Sequence, residues 1–132
     1  MRLPRRLHDE LLTLARDGAG LEVCGIIAGR GEDAERVVPV RNAHPEPARR
    51  YEMDPRDQLN AYRAIEDAGQ AVVAYYHSHP DHAHGELSAT DLALATEGSY
   101  ALYALVHRDA VRAFAVSDGR AREVPVELID RP

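Results

Sequence analysis

The stretch Ala71-Val72-Val73-Ala74-Tyr75-Tyr76-His77-Ser78-His79-Pro80 decides how this chain folds. Its first six residues are apolar, β-branched or aromatic and lie between Gly69 and Pro80, so the run reads as a short, largely buried strand. Side chains alternate faces along a strand, which points His77 and His79 the same way at its end. A loop from Pro80 to Leu87 then leads into the apolar stretch carrying Leu92, Leu94 and Ala95, a helix whose start can fold back onto the strand end. A meeting of strand end and helix N-terminus is a common place for a site.

Two readings compete for Ser88 and Asp91 at that helix start. A serine N-cap with an acidic residue three positions on is an ordinary capping arrangement and needs no metal. The histidine pair supplies the other reading. Neutral imidazole is the commonest zinc ligand among side chains, and His77, His79 and Asp91 would leave one tetrahedral position of a Zn²⁺ ion open, which separates a catalytic site from a structural one. Such a site needs a base. Glu22, in Leu21-Glu22-Val23-Cys24-Gly25-Ile26-Ile27-Ala28-Gly29, is the candidate, because an acidic residue in an otherwise apolar strand requires either an edge position open to solvent or a function. As a base it would take a proton from the attacking water and pass it to a leaving amine.

Outward from this centre, Leu3, Leu7, Leu11 and Leu14 recur at helical spacing, with Pro4 near the start and Gly18 near the end, and predict an N-terminal amphipathic helix. Residues 21–29 and 36–41 predict a hairpin around Gly31-Glu32-Asp33, and Arg50 to Met53 a short strand after the proline-bearing loop His44-Pro45-Glu46-Pro47. Asp54-Pro55 should cap a second helix through Asp67-Ala68, with Leu59, Tyr62 and Ile65 on one face and Gly69 closing it. Three more strands are expected at Tyr100 to Val106, Val111 to Val116 and Arg122 to Leu128, joined at His107-Arg108-Asp109 and Asp118-Gly119. The fold class is α/β, with a mixed, mostly antiparallel sheet flanked by helices. The 132 residues fit one domain, 1–132, with no repeat or linker.

A formal charge of −6, with no basic run and no aromatic stacking pattern, argues against nucleic acid as a partner. The apolar runs are too short to cross a bilayer and no secretory pattern opens the chain, so a cytoplasmic location and no membrane partner are expected. The single cysteine, Cys24, excludes an internal disulfide and reads as a small core residue. Every basic side chain is arginine, so the chain cannot itself carry a lysine-linked modifier. In the loop Asp81-His82-Ala83-His84-Gly85-Glu86, a second histidine pair offers rival ligands but reads as solvated rim. His8, His44 and His107 have no partner spacing. Arg49, Arg50 and Glu46 are read as solvated surface that could alternatively meet a substrate tail by strand addition.

The set Glu22, His77, His79, Ser88 and Asp91 resembles that of the JAMM (MPN+) zinc metallopeptidases. The likeness runs through Glu22-Val23-Cys24-Gly25-Ile26-Ile27-Ala28-Gly29, Tyr51-Glu52-Met53-Asp54-Pro55 and Tyr76-His77-Ser78-His79-Pro80, with the spacing from the second histidine to the serine also in agreement. Within the family the chain is most similar to short bacterial members that process ubiquitin-like sulfur-carrier proteins, especially those that release cysteine from a carrier's C-terminal glycine. The resemblance implies a single JAMM/MPN, cytidine-deaminase-like domain with one zinc ion held by His77, His79 and Asp91, and a water whose pKa the ion lowers to about 7. It further implies Glu22 as general base and then acid, Ser88 as hydrogen-bond donor to the oxyanion, and no covalent enzyme intermediate. The implied partner is a sulfur carrier ending in Gly-Gly, and the implied role is cysteine release in cysteine biosynthesis. The alternatives are deconjugation of another ubiquitin-like modifier and a non-catalytic MPN scaffold.

Overall fold

A computed structural model describes residues 1–80, 85–94 and 102–130. The chain runs β1 (Arg2–Pro4), α1 (Arg5–Asp17), β2 (Cys24–Arg30), β3 (Asp33–Val40), α2 (Pro55–Asp67), β4 (Ala71–His79), α3 (Ala89–Leu94), β5 (Leu102–His107), β6 (Ala110–Ser117), β7 (Arg120–Val124) and β8 (Glu127–Ile129). All eight strands form one sheet in the order β7-β6-β5-β4-β2-β3-β1-β8. Four pairings are antiparallel, and three, β1 with β3, β1 with β8 and β4 with β5, are parallel. The α/β class and the mixed, mostly antiparallel sheet are as the sequence predicts.

Strand order forces the sheet to curl. Laid flat, its outermost strands β7 and β8 would lie about 34 Å apart at the usual inter-strand spacing of roughly 4.8 Å. Only Pro125 and Val126 separate them in sequence, a reach of about 10 Å from Val124 to Glu127. The curled sheet wraps α1, which touches β1, β3, β5, β6 and β8 and buries Leu7, Leu11 and Leu12 against Ile27, Val37, Val73 and Val106. On the opposite face α2 packs against β2, β3 and β4, with Ala61 and Ile65 over Ile26, Ala28 and Val40.

Local signals hold where the chemistry is local. Asp54 caps α2 by accepting from the Asp57 N–H at 3.0 Å, Pro55 takes the first helical position, and Gly69 follows the helix at φ +69°. The β6–β7 turn is Asp118-Gly119 with φ of +52° and +70°, the twist-compatible two-residue hairpin.

Five expectations are corrected. Leu3 belongs to β1, not to the first helix, and is fully buried in a strand that lies between β3 and β8. The second segment becomes regular strand only at Cys24, three residues later than expected. Arg50 to Met53 is loop, tied to the sheet by a single Asn42–Met53 bridge. Leu59 is 48% exposed, because Ala61 and Ile65 form the packed stripe of α2. The predicted strand from Arg122 to Leu128 is two strands on opposite sheet edges, broken at Pro125, which has no N–H for a ladder. Tyr100, Ala95, His82 and His84 lie outside the described residues.

Candidate active site

Register brings the acidic residue to the histidines. In the antiparallel β2–β4 pair Cys24 stands opposite His77. One step further, the Ser78 N–H donates to the Val23 carbonyl at 2.9 Å, while the Val23 N–H donates to Ser78 Oγ at 2.9 Å. Continuing the same count sets Glu22 opposite His79. Paired residues share a face, so Glu22, Cys24, His77 and His79 all point to the side of the sheet that carries α2. Glu22 is thus on the line of β2 without being part of it. Its backbone is held from the other side, its N–H donating to the Pro47 carbonyl at 2.7 Å and its carbonyl accepting from Asn42 Nδ2 at 2.9 Å.

The loop and α3 bring in the fourth group. Ser88 and Asp91 form a reciprocal capping box: the Asp91 N–H donates to Ser88 Oγ at 3.0 Å, and the Ser88 N–H donates to Asp91 Oδ2 at 2.8 Å. The same Oδ2 faces His77 Nε2 at 3.2 Å and His79 Nε2 at 3.1 Å. The capping reading is therefore observed, and the same carboxylate oxygen that makes the cap also faces both imidazoles. Ser88 Oγ accepts from Asp91, which leaves its O–H available for donation.

These separations fit a metal. Ligands about 2.0–2.1 Å from a tetrahedral zinc stand about 3.3 Å from one another, close to the spacing between Asp91 Oδ2 and each ring nitrogen. In the metal-free state both rings can donate to Oδ2; a divalent ion would replace those protons. A ligand atom each from Glu22, His77 and His79 also lies within 4.8 Å of the others, and all three residues are buried. Glu22 Oε1 is buried with no hydrogen-bond partner among the described residues.

The surroundings shift the two carboxyl groups in opposite directions. Burial pushes the Glu22 carboxyl up to about 7, the charge of His79 opposing and that of Asp91 reinforcing the shift. Burial also acts on Asp91, but hydrogen bonds from His77 and His79 win and hold it well below the usual carboxylate range. Burial depresses the His77 imidazole, favouring the neutral form that a metal requires. One carboxylate is thus fixed as an anion beside two imidazoles and the other is poised to exchange a proton near neutral pH.

Three supporting residues carried no assignment from sequence. Tyr51 stacks on His77 with ring centroids 4.4 Å apart and planes at 21°. Because His77 Nδ1 has no partner among the described residues, this stack orients the ring where a hydrogen bond commonly would. Asn42 ties the 42–53 loop: its Nδ2 also donates to the Arg50 carbonyl at 3.0 Å, and its Oδ1 accepts from the His44 and Glu52 N–H groups, both at 3.0 Å. Ser78 couples β4 to the Glu22 segment. An asparagine between a strand end and a Pro-rich loop was the available signal for the second. His44 acts within that loop, its Nδ1 accepting from the Glu46 N–H at 3.0 Å. Cys24 is buried, its Sγ directed at the Val40 carbonyl at 3.4 Å, which is the core role expected of it.

With this geometry in view, the chain belongs to the family of prokaryotic homologues of the JAB domain, whose pattern residues 4–118 match. It is similar to a CysO-cysteine peptidase of Mycobacterium tuberculosis, with 39% identity over 95% of this chain and 88% of the relative. A probable TtuB-protein conjugate cleaving protease of Thermus thermophilus is 35% identical over 89% of this chain and 77% of its own. A desampylase of Haloferax volcanii shares 43% over 56% of this chain and 58% of its own. Among solved structures, protein DSY2949 from Desulfitobacterium hafniense superposes with a TM-score of 0.87 at 27% identity, covering 98% of this chain and 93% of that one. A JAB1/MPN domain protein from Archaeoglobus fulgidus, 16% identical with a TM-score of 0.64 over 98% of this chain and all of its own, shares the fold.

Proposed function

We propose that the chain is a zinc peptidase that hydrolyses the amide bond after the C-terminal glycine of a ubiquitin-like sulfur-carrier protein, releasing cysteine in cysteine biosynthesis. The observation that carries this reading is the convergence of His77 Nε2, His79 Nε2 and Asp91 Oδ2, 3.1–3.2 Å apart across the carboxylate, beside the buried carboxyl of Glu22. The relative named as a CysO-cysteine peptidase supports the choice of substrate.

In this reading His77, His79 and Asp91 hold one zinc ion. When bound, the ion supplies Lewis acidity toward the substrate carbonyl and toward the attacking water. Glu22 takes the proton of that water and delivers it to the leaving amine, a task suited to a carboxyl whose pKa is about 7. Ser88 directs its free O–H to the oxyanion, a contribution worth roughly 3–4 kcal/mol for one donor in other enzymes. Tyr51 and the capping box keep the histidines and Asp91 in place. Residues 1–132 act as one domain, and the single buried thiol suits a reducing cytoplasm.

Incubating the zinc-loaded protein with a carrier ending in Gly-Gly-Cys and following intact mass tests the proposal. The expected result is loss of one cysteine residue, stopped by a chelator and restored by zinc. An unchanged carrier mass under zinc-replete conditions would refute it. The relative named as a probable TtuB-protein conjugate cleaving protease favours a second reading, isopeptide cleavage by the same residues, which the same assay resolves with a carrier-protein conjugate.

A further inference from the structure

We propose that Arg50 selects the leaving group by receiving the free α-carboxylate of a single amino acid joined to the carrier's terminal glycine. The inference deepens the peptidase reading and rests on it. It makes this a carboxyl-terminal trimming enzyme in preference to one shaped for lysine-linked protein adducts.

Arg50 leaves the 42–53 loop beside the site. Its Nη1 donates to Thr90 Oγ1 at 2.6 Å, and Thr90 is the immediate neighbour of Asp91 on α3. Its backbone is fixed at both ends, the carbonyl accepting from Asn42 Nδ2 at 3.0 Å and the N–H donating to the Glu46 carbonyl at 3.1 Å. One of five guanidinium N–H donors is thereby used to hold the group. Among the described residues no carboxylate lies within ion-pair distance of it, so a planar fork suited to bidentate carboxylate binding remains open.

Position then matches function. Through Thr90 the guanidinium is held one residue from Asp91, and Arg50 lines the same cavity as Ser88 and Asp91, within reach of a group attached to the scissile nitrogen. In a residue attached through its α-nitrogen, the carboxylate oxygens lie about 4–5 Å from the scissile carbonyl carbon by ordinary bond lengths. A lysine linked through its side chain presents uncharged methylenes at that distance. Arg50 lines a cavity of about 540 Å³, shared with Met53, Tyr62, Tyr75 and Tyr103 and reaching Ser88 and Asp91, which gives the released residue's side chain somewhere to go. The chemistry balances without any further reactant: the amide C–N bond breaks, hydroxide from water goes to the glycine carbonyl carbon, and a proton goes to the leaving nitrogen.

The test compares two substrates differing at one group, a carrier ending in Gly-Gly-Cys as the free acid and as the carboxamide, with zinc-loaded full-length protein. Wild type is expected to favour the acid by about tenfold or more in kcat/KM, as a charge-assisted hydrogen bond allows. Arg50→Gln should bring the acid-to-amide ratio close to one, and Arg50→Lys should restore part of it. A general folding defect slows both substrates together and does not move the ratio, so a ratio preserved in Arg50→Gln overturns the proposal. Equal cleavage of both by wild type overturns it while leaving the peptidase reading intact. Cleavage of neither overturns both.

Discussion

Replacing Glu22 with glutamine should change how the stability of the metal-free protein depends on pH. The buried carboxyl has its pKa raised to about 7, from an ordinary value near 4.5, with burial as the main cause. Below about pH 4.5 it is protonated in both folded and unfolded chains and adds no slope. Between about 4.5 and 7 the unfolded chain has released a proton that the folded chain still holds, so stability falls as pH rises. By about pH 8, a unit above the folded value, the loss is essentially complete. At about 1.36 kcal/mol per pKa unit the total is about 3 kcal/mol, of which about 2–3 falls between pH 5 and pH 8. Asp91, held low, contributes stability that is lost only in acid, and His77, kept neutral by burial, adds a slope of opposite sign below its usual range. Both persist in Glu22→Gln, so the comparison of variant with wild type reports Glu22 together with its coupling to His79 and Asp91. Urea unfolding in the presence of a chelator at a series of pH values is the assay. Glu22→Gln should gain about 2–3 kcal/mol on wild type between pH 5 and pH 8. Parallel curves for the two proteins would show that Glu22 is not a desolvated carboxyl.

Ser88→Ala removes the acceptor for the Asp91 N–H and should cost about 1 kcal/mol by denaturant titration. If its O–H serves the oxyanion, kcat should also fall by roughly 10²–10³, far more than the stability change explains. Gly25→Ala would put a Cβ 2.5 Å from both Tyr76 Oη and the Val38 carbonyl oxygen, and should destabilise by about 1–3 kcal/mol through forced repacking next to the site strand. Thermal melts against wild type would register it. Burial, with the Glu22 charge adding to it, pushes the Cys24 thiol up to about 12, so iodoacetamide at pH 8 should label the native protein negligibly and the urea-unfolded chain readily.

Legibility of the fold followed the range of the interactions. The strand ending at His79, the Asp54-capped helix and the Asp118-Gly119 turn are specified by residues within a few positions of one another, and each formed as read. Strands β1 and β8 are three residues each and exist because the two ends of the chain pair in parallel, Leu3 with Leu128. No periodicity can reveal such a pairing, and the helical spacing of Leu3 with Leu7 pointed elsewhere. At the site, alternation along one strand was enough to align His77 with His79. The position of Glu22 opposite His79 depends on the β2–β4 register, and the meeting of Asp91 with both rings depends on how the loop returns. Tyr51 and Asn42 act through stacking and loop bracing across segments far apart in sequence, and so left only the faintest local trace.

Zinc content and turnover measured together on one pair of proteins test the central claim most directly. Wild type and Glu22→Gln, each loaded with zinc and desalted, are compared for bound metal by elemental analysis and for hydrolysis of the carrier-cysteine bond by intact mass. If His77, His79 and Asp91 hold the ion and Glu22 moves the proton, both proteins carry one zinc per chain and only wild type releases cysteine. Full turnover by Glu22→Gln, or a wild type that retains no zinc, would contradict the account.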